Sequence, residues 1–385
     1  MKKINKTSIV AASAAALLVF STATSFATGQ TVRVNGASSV ALLLDKCKAD
    51  YATATGDTMS GYTAAGSGTG KNNIAQGVVD IGLSDSENKN DNKPAGMLHI
   101  PFGAWPVTVM YNLNTTKSVN LSTETIAKIF SGQITKWNDP AIVADNNKSY
   151  QVPVYKVKDG KTVLDKNGAP VVLRTKTVRT YFTFPDKKII VIYRIGGSGT
   201  SNNFTTALNK LHPTIWTKPG NDAFATAFPG DITKDPIGFQ GGANAAALAQ
   251  IAQKTKYSIT YNEYSFAKDY GLGTANIINP AGNSISPAST EGILGAFSVA
   301  KYTADGLVTF DYANKLASQY PFAATTYAMV LPKYSSAALA GSVKDWISFH
   351  SFDCPKVAVN SGFAQITKTS ELGKQILAQL AKVGS

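Results

Sequence analysis

The stretch from Thr31 to Asp85, TVRVNGASSVALLLDKCKADYATATGDTMSGYTAAGSGTGKNNIAQGVVDIGLSD, decides the fold class. Thr31 to Val34 reads as a strand and Asn35-Gly36-Ala37-Ser38-Ser39 as a turn. Val40 to Ala54 then repeats apolar residues at helical spacing: Val40, Leu43, Leu44, Cys47 and Tyr51. The same order recurs at once. Thr58 to Thr63 is a weak strand, Ala65 to Gly70 a glycine-rich loop and Lys71 to Gly77 a short helix. Val79 to Leu83 is the next strand, ending at Ser84-Asp85. Strands alternating with helices predict an α/β domain with a largely parallel sheet. Ligands of such sheets gather at the carboxyl ends of the strands, where all three loops fall.

Further along, Pro101 to Asn112 is a long β-rich run and a candidate to cross between two lobes. Ser122 is placed to cap a helix that Gly132 stops. Val154 to Phe184 differs in kind: it is β-rich, basic and punctuated by Asp159-Gly160 and Asn167-Gly168, both strong hairpin signals. It reads as a β-meander inserted into the second lobe. The α/β order resumes at Ile189 to Tyr193, followed by the turn Gly197-Ser198-Gly199-Thr200 and a helix over Ser201 to Leu211. Ala243–Lys254, Glu263–Tyr270, Ala338–Phe349 and Glu371–Val383 are further helix candidates.

The 385 residues are 44% apolar, enough at about 150 residues per domain for two to three domains. Two cysteines and three histidines are too few for a disulfide-built scaffold and argue against a Cys/His metal site. No metal or other cofactor is expected. Lys2, Lys3 and Lys6 precede an apolar stretch from Ser8 to Phe20, and small Ser25 and Ala27 suit a signal peptidase. Residues 1–27 are therefore expected to be a cleaved export signal. That stretch is too short to cross a bilayer core of ~30 Å. The first cysteine, Cys47, lies far beyond the cleavage region, so a lipid anchor there is not expected. The mature protein is expected to be soluble and periplasmic, with release to the exterior as the other address. Such a compartment is oxidising and permits Cys47 and Cys354 to pair. Two separate buried thiols are the other reading the residues allow.

The chain carries +13, of which the three leader lysines account for three. From Gln151 to Ile190 nine Lys and Arg stand against three Asp, so more than half of the mature charge lies in these forty residues. The remainder is only mildly basic, and a general nucleic-acid-binding role is excluded. The basic meander reads as a solvated face, with docking onto an anionic partner as the sharper alternative.

Three strand-to-helix turns each carry glycine and small hydroxyl residues: Gly36-Ala37-Ser38-Ser39, Gly66-Ser67-Gly68-Thr69-Gly70 and Gly197-Ser198-Gly199-Thr200. Glycine admits a ligand close to the backbone, and a helix N-terminus offers N–H donors and the positive end of its dipole. Each turn alone is also what an ordinary capped helix requires. Converging, the three make an anion cradle that needs no metal. Arg194, four residues before Ser198, is placed to grip an oxyanion with two parallel bonds. Asp85 fits such a site only if the ligand still carries a proton, because an ionised carboxylate accepts hydrogen bonds and donates none. Phosphate near neutral pH keeps a proton and sulfate keeps none, so Asp85 would reject sulfate. A cap at the end of its strand is the alternative role for Asp85.

Competing motifs fall short. Ala65 stands where a P-loop needs its first glycine, and Asn72 replaces the Ser or Thr. No Gly-x-Ser-x-Gly elbow occurs, and His99, His212 and His350 are isolated from any candidate nucleophile.

Taken together, Gly36–Ser39, Gly66-Ser67-Gly68 through Asp80-Ile81-Gly82-Leu83-Ser84-Asp85, and Arg194–Thr200 resemble the periplasmic phosphate-binding proteins of ABC transporters. Leu121 to Gly132 with Trp137-Asn138-Asp139-Pro140, and Pro236-Ile237-Gly238 followed by Tyr261-Asn262-Glu263-Tyr264, are similar to signatures of the same family and run in its order. The resemblance implies a type II periplasmic-binding-protein fold, with lobe one from 28–108 and 325–385 and lobe two from 109–324. The basic β insertion would occupy about 150–188 of lobe two. Carried over by motif position, the phosphate contacts would be Ser38, Ser39, Ser67 and Asp85 from one lobe and Arg194, Ser198, Gly199 and Thr200 from the other. Two departures stand out. The family's Thr-aromatic-Pro is here Ser38-Ser39-Val40, and Gly196 replaces an acidic residue often found two places after the arginine. The function implied is that of a non-catalytic, monomeric solute-binding protein delivering inorganic phosphate to an inner-membrane ABC permease. A secreted phosphatase on the same scaffold and a surface-docking protein using the basic meander are the alternatives.

Overall fold

The computed structural model describes residues 29–115, 117–235, 237–358 and 361–384, so the expected export signal lies outside the described residues. β1 (Val34–Gly36) leads through one 3-10 turn, Ser38–Val40, into α1 (Ala41–Thr55). α2 (Ser67–Ala75) and β2 (Ile81–Ser84) follow, and β1 pairs with β2 in parallel. The expected loop over Ala65–Gly70 needs correction, because Ser67 to Gly70 already form the first turn of α2. Glycines 66, 68 and 70 depress helix propensity and hide the helix in the sequence. Packing overrides propensity here. A Cβ on Gly70 would lie 2.2 Å from the Leu83 carbonyl oxygen, so only glycine lets α2 lie this close to β2.

β3 (Leu98–Tyr111) is buried along its whole length and runs through the centre of the molecule. α3 (Thr123–Phe130) begins where the Ser122 side chain accepts a hydrogen bond from the Thr125 N–H. In the basic region β4 (Ser149–Tyr155) and β5 (Val172–Arg179) pair antiparallel, with a bulge between Val172 and Arg174. Between them Asp159 and Gly160 take φ of 51° and 73°, the turn their sequence predicts. β6 (Ile190–Arg194) then feeds α4 (Gly199–Leu211), and β7 (Phe239–Gly242) feeds α5 (Ala245–Lys254). β8 (Ser258–Glu263), β9 (Gly273–Ile278) and β10 (Ala323–Val330) complete the main strands. α6 (Ala337–Phe352) and α7 (Glu371–Leu380) close the chain.

The main strands lie in the order β7-β6-β8-β3-β10-β2-β1, with β9 also pairing to β3. β3 divides this array. Its first part pairs with β10, from Leu98 opposite Val330 to Pro106 opposite Ala323. Its last part pairs with β8, from Val107 opposite Glu263 to Tyr111 opposite Ile259. One half is therefore built on β1, β2 and β10, and the other on β6, β7 and β8, with β3 shared. In the second half the apolar face of α4 buries Phe204, Ala207 and Leu208. Phe204 stacks on Tyr261 at 4.7 Å and meets Phe130 edge-on at 4.8 Å. Such aromatic pairs contribute about 0.5–1.5 kcal/mol each beyond their buried area. They fix α4 against β8, which sets the position of the α4 N-terminus at the seam between the halves.

Candidate functional site

The loops after β1, β2 and β6 and the N-termini of α2 and α4 meet at the seam. Ser38, Ser39, Ser67, Asp85, Arg194, Ser198 and Thr200 are all 5% exposed or less there. Gly199 faces Asp85 so closely that a Cβ would lie 2.7 Å from the Asp85 carbonyl carbon, which leaves glycine as the residue that fits. The structure thus brings together all eight positions that the sequence motifs singled out.

Asp85 sits at the end of β2 with its carboxylate held by three hydroxyls. Ser39 and Thr326 donate to Oδ1, each at 2.7 Å, and Thr200 donates to Oδ2 at 2.9 Å. The Asp85 N–H donates to Ser67 Oγ at 3.1 Å, and Asn203 Nδ2 donates to its carbonyl oxygen at 2.5 Å. Asp85 therefore accepts into its carboxylate from both halves. Thr326 was not apparent in the sequence. It lies on β10, more than two hundred residues from Asp85, inside a run that carries no loop or glycine signal. Its own orientation is fixed from behind, because the Trp105 indole N–H donates to Thr326 Oγ1 at 3.0 Å. An indole N–H only donates, so the threonine proton is directed at Asp85.

Burial raises the Asp85 carboxyl above its usual 3.8, against the opposing pull of the three hydroxyls and of Arg194. Arg194 is buried too, which lowers its pKa, yet a guanidinium stays charged inside a protein. Arg194 Nη1 donates to Ser38 Oγ at 3.2 Å, and its Nε has no partner among the described residues. Its backbone N–H donates to the Tyr261 hydroxyl at 3.2 Å, which in turn bonds Ser201 Oγ at 2.6 Å. The aromatic core of the second half therefore props up the arginine. Ser198 serves as the N-cap of α4, its side chain accepting from the Ser201 N–H. Its ordinary capping role is thus present, and it leaves the Gly199 and Thr200 N–H groups at the helix start.

Chemically the site is one buried cation and one buried carboxylate among neutral donors. Such a set binds an oxyanion that can also donate one proton. The three histidines lie elsewhere. Burial lowers His99 to about 4, and its Nε2 accepts from the Asn88 N–H at 3.0 Å. His350 stacks on Trp346 at 4.1 Å, and His212 meets Thr123 Oγ1 at 2.9 Å. Cys47 and Cys354 are bonded to each other within the first half. Among the described residues no helix is long and apolar enough to cross a membrane.

The family model described as a PBP superfamily domain matches residues 21–351. The chain is similar to phosphate-binding protein PstS 3 of Mycobacterium tuberculosis, 30% identical over 304 residues covering 76% of this chain and 70% of that protein. It is 32% identical to phosphate-binding protein PstS of Pasteurella multocida over 289 residues, 74% of this chain and 71% of that one. In fold it matches a phosphate-binding protein from Stenotrophomonas maltophilia with a TM-score of 0.59 at 19% identity, covering 88% of this chain and 91% of that chain.

Proposed function

From the premise that this chain belongs to the PBP superfamily, and within it to the PstS family of phosphate-binding proteins, we propose that it captures inorganic phosphate at the seam and delivers it to an ABC permease. The observation that carries this reading is the presence at one seam of buried Arg194, whose Nε–H has no partner among the described residues, and buried Asp85, whose Oδ2 accepts among them from Thr200. The guanidinium and the N-termini of α2 and α4 would bind the unprotonated phosphate oxygens. The protonated oxygen would donate to Asp85. A carboxylate has about four positions at which it accepts, and three are taken by hydroxyls, so one remains for the ligand.

The lobes that close would be 28–108 with 325–385 and 109–324, moving about β3 and β10. The protein would work in the periplasm as a monomer that binds without catalysis. Calorimetric titration of the phosphate-stripped protein tests this. Tight binding of phosphate with no heat from sulfate is expected. A folded protein that ignores phosphate, or that hydrolyses a chromogenic phosphate ester, would overturn it.

A further inference from the structure

A second set of polar groups crosses the seam beside Asp85 and Arg194. Lys71 lies one turn after Ser67 on α2, and its Nζ donates to Asp222 Oδ2 at 2.7 Å and to Ser86 Oγ at 2.8 Å. Asp222 follows α4 in the second half, and its Oδ1 accepts from Ser86 Oγ at 2.8 Å and from Asn202 Nδ2 at 2.9 Å. The two charged side chains are only 7% and 23% exposed. Of the ion pairs among the described residues, this is the one that joins the two halves. It is also wired into both ends of the candidate anion site. Lys71 shares a helix with Ser67, and the Asp222 carbonyl oxygen accepts the Ser198 N–H at 2.9 Å.

We infer that Lys71, Ser86 and Asp222 form an interlobe clasp, positioning residues that hold the halves shut across the bound anion and set how fast it leaves. The contact requires both halves, so it can form only in the closed arrangement. Breaking it by opening hydrates both charges together. Removing one partner instead leaves the other buried and unpaired, which disfavours closure more strongly than removing both. The effect falls on dissociation, as is usual for changes at a close-packed contact.

The inference rests on the phosphate reading for its kinetic readout, and a second readout stands apart from it. Stopped-flow release of phosphate should be at least about tenfold faster in Lys71→Met and in Asp222→Asn than in the parent protein. The double variant should release no faster than the worse single one. Lys136→Met, which breaks an exposed pair with Asp186 inside one half, should leave the rate unchanged. The two single variants leave opposite charges behind. A mere field effect on the anion would slow release in Asp222→Asn and speed it in Lys71→Met, and that split result would overturn the clasp. So would unchanged rates, or additive effects in the double variant. Small-angle scattering in phosphate-free buffer supplies the independent readout, with a larger radius of gyration expected for both single variants. If the parent protein failed to retain phosphate, the proposed function would fall. The clasp would then stand or fall on the scattering alone. Ser86→Ala, a milder change, should shift both readouts in the same direction, and its failure to do so would count against the clasp.

Discussion

Arg194 and Asp85 are the two charged groups of the site, and they answer to different substitutions. Arg194→Ala removes the cation and should weaken every oxyanion by roughly 2–5 kcal/mol in calorimetric titration. Asp85→Asn keeps an acceptor but adds a donor that an unprotonated ligand can use. Phosphate should weaken modestly while sulfate gains, narrowing their ratio by at least about tenfold, or ~1.4 kcal/mol. A fall in phosphate affinity without sulfate binding would show that Asp85 does not sense the proton. Acidification provides a second route to the same end. Because burial raises the Asp85 pKa, its ionised, accept-only form is present above that raised value and is lost as pH falls through it. Protonated Asp85 donates, so sulfate should compete increasingly as pH falls through that raised value. In Asp85→Asn that pH dependence should vanish. Thr326→Val should cost about 1–3 kcal/mol in urea unfolding, because the Trp105 N–H is left without its acceptor. It also removes a donor from the ionised carboxylate, so sulfate should enter at a higher pH than in the parent protein. At this scale the sequence is informative where local chemistry makes the site. Ser38, Ser67 and Thr200 stand in glycine-hydroxyl turns, and Arg194 ends the strand that leads into the third of them. Thr326 and Asp222 carry no such mark, because only tertiary packing brings them to the seam.

Among the elements, the basic hairpin is the one that can be altered without touching the site. β4 and β5 already place Tyr155 opposite Val172, and the Lys156 N–H donates to the Val171 carbonyl oxygen at 2.9 Å. Replacing residues 156–171 with Asn-Gly should therefore close β4 onto β5 directly. Phosphate affinity should stay within about twofold, as for any change remote from the ligand. A larger loss in a variant with native circular dichroism would place this segment in the binding path. The cut must spare the following aromatics. Phe184 is buried and stacks on Trp137 at 6.2 Å, so Phe184→Ala should cost roughly 3–5 kcal/mol in stability. The reach of the sequence varies by element for physical reasons. The Asp159-Gly160 turn is legible because its residue types tolerate positive φ. The start of α2 is hidden by its glycines, which packing against β2 requires. β10 is hidden because it is buried on both faces, so no alternation of apolar and polar residues marks it.

Across the whole molecule, the bond between Cys47 and Cys354 separates stability from ligand capture. Cys47 lies on α1 and Cys354 just after α6, with Cα atoms 5.6 Å apart and 307 residues between them in sequence. Both are fully buried in the hydrophobic core that also holds Leu43, Leu44 and Val343. The loop so closed contains the entire second half. Cross-linking such a loop restricts the unfolded chain strongly, and loss of a native bridge typically costs about 2–5 kcal/mol. The hydrogen bonds around Asp85 and Arg194 are made by residues outside α1 and α6, the elements that carry or adjoin the two cysteines. Replacing both cysteines with alanine should therefore lower the unfolding free energy by that amount in urea titration. Phosphate affinity at 25 °C should change by less than about twofold, since distant sites add independently. Saturating phosphate should then raise the unfolding free energy of both proteins by the same increment, because ligand stabilisation depends only on concentration and affinity. Thiol titration of denatured, unreduced parent protein should find no reactive sulfur. If affinity fell in step with stability, the first-half core would have to reach the seam by a route that the hydrogen bonds around Asp85 and Arg194 do not provide.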